Sequence, residues 1–93
     1  MNNQNIQIKA SDEALRGRYS NMMQVSHNKE EFILDFMNLF PPSGQLASRI
    51  ITSPGHAKRI ARALAQNVAQ YEKLHGEIQE AQSPEREIGF QAQ

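Results

Sequence analysis

The segment Glu31–Phe40, with the sequence EFILDFMNLF, decides the fold because it holds three of the chain's four phenylalanines within ten residues. A strand with one face in water alternates apolar and polar residues, whereas this segment is largely apolar at both alternating sets of positions. One set comprises Phe32, Leu34, Phe36, Asn38 and Phe40, and the other comprises Ile33, Asp35, Met37 and Leu39. The pattern predicts a central strand that is covered on both faces.

Residues 18–27 and 45–52 flank this segment, and both alternate as strands do. In the first strand we expect one set of side chains to face the core: Tyr19, Asn21, Met23 and Val25. In the strand at residues 45–52, one face is predicted to carry Leu46, Ser48, Ile50 and Thr52. The other face is predicted to carry Ala47, Arg49 and Ile51.

The connections between the three strands are short and rich in turn-forming residues. Asn28 can close the turn at residues 27–30 through its own side chain. The segment Pro41–Gly44 begins with two prolines, which have no backbone N–H to donate to a neighbouring strand. We expect Gly44 to have a positive φ. Short turns of this kind predict an antiparallel meander.

A long helix is predicted over residues 54–75. Ser53 is a good N-cap, and Pro54 at the first helical position loses no hydrogen bond. Apolar residues recur at spacings of one, three and four, which is typical of an amphipathic helix. They are Ala57, Ile60, Ala61, Leu64, Val68, Tyr71, Leu74 and Ile78.

The remaining segments divide the chain into one domain and two ends. Residues 11–78 form the α+β domain, in which Ser11 caps a single helical turn that ends at Gly17. Residues 1–10 are predicted to be a flexible arm, although the alternation at Ile6–Lys9 favours a short fourth strand at the sheet edge. Residues 79–93 are Gln/Glu-rich and non-periodic, which predicts a disordered tail.

Composition restricts the class of protein. The chain has 93 residues and a net charge of zero. It has no cysteine, and this absence excludes disulfides and Cys-based zinc sites. The N-terminus lacks a signal-peptide pattern and no apolar run could span a bilayer, so we expect a cytoplasmic protein. Residues 1–62 carry eight Lys/Arg against five Asp/Glu, and residues 63–93 carry two against five.

These features predict a homo-oligomer, most simply a two-fold dimer. One helix can cover one face of a three-stranded sheet, which leaves the other face of the central strand without a lid. The residues predicted to form the oligomer interface are Ile33, Met37 and Leu39. The alternative is that the N-terminal arm, with Ile6, Ile8 and Leu15, folds over that face.

No arrangement of residues predicts catalysis, a cofactor or a metal site. His27, His56 and His75 have no ligand spacing to one another, and the glycines form no phosphate-binding loop. Asp35 is a carboxylate in an apolar strand, and Arg49 across the ladder is its expected partner. We therefore predict a non-enzymatic interaction module without a small-molecule substrate.

A nucleic-acid-binding dimer is the alternative function. It would use a basic patch on which Tyr19 could stack a base of single-stranded DNA or RNA. A curved antiparallel sheet followed by a helix is also the plan of some single-strand-binding transcription cofactors, an analogy at the level of fold. The net charge of zero argues against this function. The candidate contacts are Arg18, Arg49, Lys58, Arg59 and Arg62.

Several motifs resemble domain-of-unknown-function family 3467, a set of small bacterial and archaeal proteins. The resemblance spans about residues 10–78, and it brings no assigned catalytic or binding residues with it. It implies a small standalone prokaryotic domain. The motifs are Arg18–Asn21, Val25–His27, Glu30–Phe36, Ile51–Arg59 and the series Asn67, Tyr71, Glu72 and Lys73.

Overall fold

A computed structural model of the protein describes residues 5–81 and residue 89. Its elements are, in chain order, α1 (Asp12–Arg16), β1 (Met22–His27), β2 (Phe32–Phe40), β3 (Ser43–Thr52) and α2 (Pro54–His75). The strands form one antiparallel sheet in the order β1-β2-β3, with β2 in the middle. The predicted α+β fold, an antiparallel meander followed by a long helix, is confirmed.

The N-terminal segment forms the predicted helical turn but no strand. The Oγ of Ser11 accepts a hydrogen bond from the backbone N–H of Ala14 at 3.1 Å, and Gly17 ends α1 with φ of 75°. The prediction of a fourth strand at Ile6–Lys9 is wrong. Both isoleucines of that segment are almost fully exposed, so its alternation places no apolar face against the sheet.

The two turns of the meander are held differently. The Oδ1 of Asn28 accepts hydrogen bonds from the backbone N–H groups of Glu30 and Glu31, each at 2.8 Å, which confirms the predicted Asx-turn. Residues 41–42 form the second turn, with a cis peptide bond between the prolines.

The expected positive φ at Gly44 is wrong, because among the described glycines only Gly17 and Gly76 have one. Gly44 instead lies within β3, directly opposite Leu39. A Cβ at Gly44 would lie 2.5 Å from the Cδ2 of Leu39. The glycine therefore serves close packing of a side chain rather than the geometry of the turn.

A bulge in β3 changes which side chains share a face. Phe36 pairs with Ser48 and the next residue, Met37, pairs with Leu46, so that Ala47 is the extra residue. Adjacent residues of β2 point to opposite faces, and their partners must therefore do the same. The prediction that Leu46 and Ser48 share a face is wrong, because the bulge reverses the alternation between them.

The covered positions of β1 also differ from those predicted. Met23 and Val25 are nearly half exposed, whereas Met22 and Gln24 are more deeply covered. Met22 pairs with Met37 and therefore lies on the same face of the sheet.

The strand β1 begins only at Met22, although the polar residues before it still bond to β2. The side-chain amide of Asn21 donates to the carbonyl of Leu39 at 3.0 Å and accepts from its N–H at 2.8 Å. The hydroxyl of Ser20 lies 3.0 Å from the carbonyl oxygens of both Met22 and Met37, to which it can donate. Side chains thus continue the ladder beyond the end of the strand.

The buried side chains of the described residues all belong to β2. They are Leu34, Asp35 and Met37, of which Met37 is the most buried, with 2% of its surface exposed. Met22 and Leu46 flank Met37 on the two neighbouring strands. The core within one chain is therefore small and centred on the middle strand.

The helix α2 has the predicted bounds but not the predicted position. Ser53 caps it, accepting from the backbone N–H of His56 at 3.1 Å, and Gly76 ends it. None of its residues is buried, and the extensive contacts between described elements are those between neighbouring strands. The expectation that the helix covers one face of the sheet is wrong. Ser53 is the single residue between β3 and α2, which is too short a connection to turn a helix back across the sheet.

Residues 1–4 of the predicted flexible arm (residues 1–10) and most of the predicted disordered tail (79–93) lie outside the described residues. Residues 5–10 and 77–81, which are described, have no regular secondary structure.

Replacing the most buried side chain should destabilise the fold strongly. We expect Met37→Ala to lower the free energy of unfolding by about 2–5 kcal/mol, because it leaves a cavity among well-packed neighbours. Met23→Ala is the matched control, since Met23 is 43% exposed on β1. Urea denaturation at one fixed protein concentration measures both. Equal losses in the two variants would contradict the assignment of the core.

Candidate interaction surface

One side of α2 is apolar along its length, and much of it is exposed to solvent. We name it the α2 stripe, and it comprises Ala57, Ile60, Ala61, Leu64, Val68, Tyr71 and Leu74. Four of these side chains are widely exposed: Leu64 at 61%, Val68 at 44%, Tyr71 at 52% and Leu74 at 72%. Contiguous exposed apolar surface on a small protein commonly marks an interaction site.

Charged residues are distributed unevenly along α2. Its first half carries Lys58, Arg59 and Arg62, and no acidic residue lies in its first turn. Glu72 lies in its last turn, where its Oε2 accepts a hydrogen bond from the N–H of Ile78 at 2.9 Å. The last turn also carries the basic residues Lys73 and His75, which suit the negative end of the helix dipole. The charge asymmetry of α2 is therefore an excess of exposed cations in its first half.

The sheet supplies less interface surface than the sequence predicts. Met37 is covered by its own chain and has almost no surface to offer a partner, which corrects its assignment to the oligomer interface. Ile33 and Leu39 are partly exposed, and Ile51, which pairs with Ile33, is 55% exposed.

The alternative in which the N-terminal arm covers this face is wrong for the described chain. Ile6, Ile8 and Leu15 are each more than two-thirds exposed and therefore cover nothing.

An ion pair stabilises the otherwise costly carboxylate of β2. Arg49 lies directly opposite Asp35, its Nε donating to Oδ1 at 2.7 Å and its Nη2 to Oδ2 at 3.0 Å. The predicted pairing is confirmed. The hydrogen bonds from Arg49 hold the pKa of Asp35 below its usual 3.8, against the desolvation that raises it. The same hydrogen bonds raise the pKa of Arg49.

The structure does not bring the five predicted nucleic-acid contacts together. Arg18 lies with Phe36 along one face of the sheet, and its Nη2 pairs with Glu13 at 3.1 Å. Arg49 lies on the other face, because its partner Asp35 precedes Phe36 in the strand. The remaining three, Lys58, Arg59 and Arg62, are exposed on the first turns of α2.

A cleft that the sequence does not reveal lies between α1 and the sheet. It has a volume of about 540 Å³ and is open to solvent. The bulge at Ala47 helps to form it, and neither the bulge nor the position of α1 leaves a recognisable signal in the sequence. Its lining includes Ala14, Gly17, Arg18, Phe36, Ser48 and Ile50.

Of the three histidines, His27 lies in β1 and the other two lie at opposite ends of α2. His27 stacks on Phe32 with ring centroids 5.0 Å apart, and His75 contacts Tyr71 at 4.8 Å. His56 lies in the first turn of α2. Within residues 5–81 and 89, no cluster of three His, Cys, Asp or Glu side chains is placed to hold a metal ion.

No helix in the described part of the chain has the length and apolar character needed to cross a membrane.

The fold and its surfaces define a class of small α+β proteins in which a three-stranded meander leads directly into one exposed amphipathic helix. Residues 1–80 match the family model described as protein of unknown function (DUF3467), and the chain belongs to this family. The match confirms the family resemblance of the sequence motifs. Neither the curated proteins nor the solved structures gave a match.

The Asp35–Arg49 pair makes stability depend on pH in a defined direction. Since the pKa of Asp35 is lower in the folded protein than its ordinary value of 3.8, the pair stabilises the fold fully above that value. This contribution disappears as the pH falls through the pKa of the folded state. We expect Arg49→Leu to lower the urea midpoint at pH 7. The deficit relative to the unsubstituted protein should shrink as the pH approaches 3.

Removing both partners provides the control. The double variant Asp35→Leu with Arg49→Leu should recover much of the lost stability, because no buried carboxylate then lacks a counter-ion. A deficit of Arg49→Leu that stays constant from pH 7 to pH 3 would show that the loss comes from packing of the arginine rather than from the ion pair.

Proposed function

We propose that this protein is a non-enzymatic interaction module that acts as a homo-oligomer, most simply a two-fold dimer. One observation carries the proposal: α2 is a 22-residue amphipathic helix with no buried side chain. Most of the stability of a helix in a protein comes from packing of its apolar face rather than from helix propensity. A second chain on the α2 stripe would supply the packing that its own sheet does not.

The small core of the single chain supports the same proposal. Leu34 and Met37 are its buried apolar side chains among the described residues, and a domain of this size is marginal even when it is compact. Fully burying an exposed apolar side chain contributes about 1.5–3 kcal/mol, and Leu64, Val68 and Tyr71, each about half exposed, would contribute roughly half of that at an interface. Such a gain is large compared with the total stability of a small domain.

The arrangement of polar groups favours binding over catalysis. Asp35 and Arg49 have shifted pKa values, but each shift arises from their mutual hydrogen bonds and stabilises the sheet. Glu13 and Arg18 line the open cleft beside α1, and these two side chains pair with each other. These interactions support structural roles for the ionisable groups concerned.

Nucleic-acid binding remains the second candidate, and its specific support is the exposed cluster Lys58, Arg59 and Arg62 on adjacent turns of α2. The cluster places three positive charges in the first half of α2, where they would attract phosphate groups. Arg18 and Arg49 support it less, because each is engaged by a carboxylate of its own chain.

Disruption of the α2 stripe should abolish self-association. In size-exclusion chromatography with light scattering at micromolar protein, we expect a mass that is a multiple of 10.5 kDa. Leu64→Glu should shift it to a monomer or to an unfolded chain, because it places a charge in the apolar interface. Gln66→Glu introduces the same residue on the opposite side of the helix and should leave the mass unchanged. A well-folded 10.5 kDa species for the unsubstituted protein would refute the proposal.

Fluorescence polarisation with single- and double-stranded oligonucleotides separates the two functions. We expect no binding at low salt, because the net charge is zero and two of the five candidate arginines and lysines are paired internally. Binding that weakens steeply with salt, and that the double variant Arg59→Gln with Arg62→Gln reduces, would establish the alternative function instead.

A further inference from the structure

Across the described strands, one face of the sheet carries no Asp, Glu, Lys or Arg. Phe32, Leu34 and Phe36 point to this face, because alternate residues of a strand share a side. Directly opposite residues of antiparallel strands also share a face, so the register adds their partners on β1 and β3. We name this surface the uncharged face, and it comprises Met23, Val25, His27, Phe32, Leu34, Phe36, Ser48, Ile50 and Thr52.

The uncharged face is only partly covered by its own chain. Met23 is 43% exposed, Val25 48% and Ile50 46%. The open cleft beside α1 lies on the same face, because Phe36, Ser48 and Ile50 line it. Exposed apolar side chains beside an open cleft leave room for a further apolar element to pack on this face.

The opposite face is less suited to receive an apolar element. Its centre is the Asp35–Arg49 ion pair, in which the side chain of Arg49 is 48% exposed. Apolar side chains packed over this pair would remove its remaining contact with water, and desolvation of an ion pair costs free energy. Met37 on the same face is already buried. An apolar helix therefore fits the uncharged face better.

The part of α2 from Ala63 to Tyr71 matches the uncharged face in chemistry. It contains no charged residue, and its apolar side carries Leu64 and Val68, which are 61% and 44% exposed. Arg62 and Lys73 flank this part of the helix. They lie two and nine residues from Leu64, which is close to half a turn around the axis at about 3.6 residues per turn. A surface packed on Leu64 and Val68 therefore does not bury either cation.

The two surfaces also match in size. From Leu64 to Leu74 the helix is about 15 Å long, and from Met23 to His27 the strand is about 13 Å long. The outer two of three neighbouring strands lie about 10 Å apart, which is close to the helix diameter of about 10–12 Å. One segment of α2 can therefore cover the uncharged face.

A second copy of the chain supplies both missing contacts. Among the described elements, extensive contacts occur only between neighbouring strands, and α2 has no buried side chain. Each copy therefore has an open uncharged face and an open apolar helix, and two copies hold one matching surface for every uncovered one. The contact also gives Val25 the core position that its alternation predicts.

We infer that α2 of each copy packs on the uncharged face of the other copy in a reciprocal dimer. This inference rests on the proposed self-association and specifies which surfaces meet. It moves the interface from the side of the sheet that holds Ile33, which the sequence predicts, to the uncharged face.

The interface area favours the reciprocal arrangement. A helix about 15 Å long that is covered over half of its circumference buries about 250 Å² of its own surface. With a similar area on the sheet, one helix-on-sheet contact buries about 500 Å², which is less than specific interfaces need, and two contacts bury about 1,000 Å², which is the lower limit for them. Two reciprocal contacts therefore reach the required area and a single contact does not.

Substitution of two adjacent isoleucines tests which face is used. Ile50 and Ile51 are 46% and 55% exposed, and as neighbours in β3 they point to opposite faces. We expect Ile50→Lys to raise the dimer dissociation constant by about tenfold or more, because it places an ammonium group under α2 of the partner. Ile51→Lys is the matched control and should change the constant little. Sedimentation equilibrium measures both, and a larger effect of Ile51→Lys would overturn the inference.

Cross-linking tests the contact directly, because the chain has no cysteine of its own. Val68→Cys, labelled with a heavy isotope, is mixed with unlabelled Ile50→Cys and treated with a short bismaleimide. We expect covalent heterodimers, which mass spectrometry distinguishes from homodimers by the label. Two matched mixtures should give few of them: Val68→Cys with Ile51→Cys, and Gln66→Cys with Ile50→Cys. Circular dichroism verifies that every variant keeps its secondary structure.

The outcomes separate this contact from the broader proposal. Linking mainly between two Val68→Cys chains would show helix-on-helix packing, and preferred linking to Ile51→Cys would show that the opposite face is used. Absence of linking in all mixtures, with an unchanged dimer mass, would show that other surfaces form the dimer. Each of these results would overturn the inference and leave self-association standing. Unsubstituted protein that is monomeric in light scattering would overturn both.

Discussion

The connection between β3 and α2 constrains the whole molecule, because a single residue, Ser53, separates strand from helix. With so short a connection, α2 makes no extensive contact with the sheet in the described part of the chain, and none of its residues is buried. The Ser53 cap and Pro54 start the helix immediately, which adds stiffness to the junction. The chain therefore builds a sheet and a helix that are each incompletely covered.

Within the sheet, the middle of β2 is buried by the neighbouring strands, which covers part of its apolar surface. Met37 is enclosed between Met22 and Leu46, and the bulge at Ala47 is what brings Leu46 to that face. Asp35 on the same face avoids the cost of an unpaired carboxylate by a two-point contact with Arg49. This arrangement fixes the register of the sheet, since a slip of one residue would separate the ion pair and invert both faces.

The features that sequence predicts well are those with local causes. Caps at Ser11 and Ser53, the turn at Asn28 and the bounds of α2 depend on residues a few positions apart, and the Asp35–Arg49 pair follows from a short hairpin register. The position of α2, the bulge at Ala47 and the burial of Met37 depend on how elements meet in three dimensions. The alternation of apolar and polar residues in a strand does not reveal where a bulge inserts an extra residue. The apolar side of an amphipathic helix likewise does not reveal which surface packs against it.

The charges of α2 give a partner surface more to recognise than the apolar stripe alone. Lys58, Arg59 and Arg62 are exposed in the first half of the helix, whereas its last turn combines Glu72 with Lys73 and His75. Net positive charge in the first half disfavours a partner surface of like charge. An apolar stripe alone would associate with many surfaces, so these cations add the selectivity that the stripe lacks.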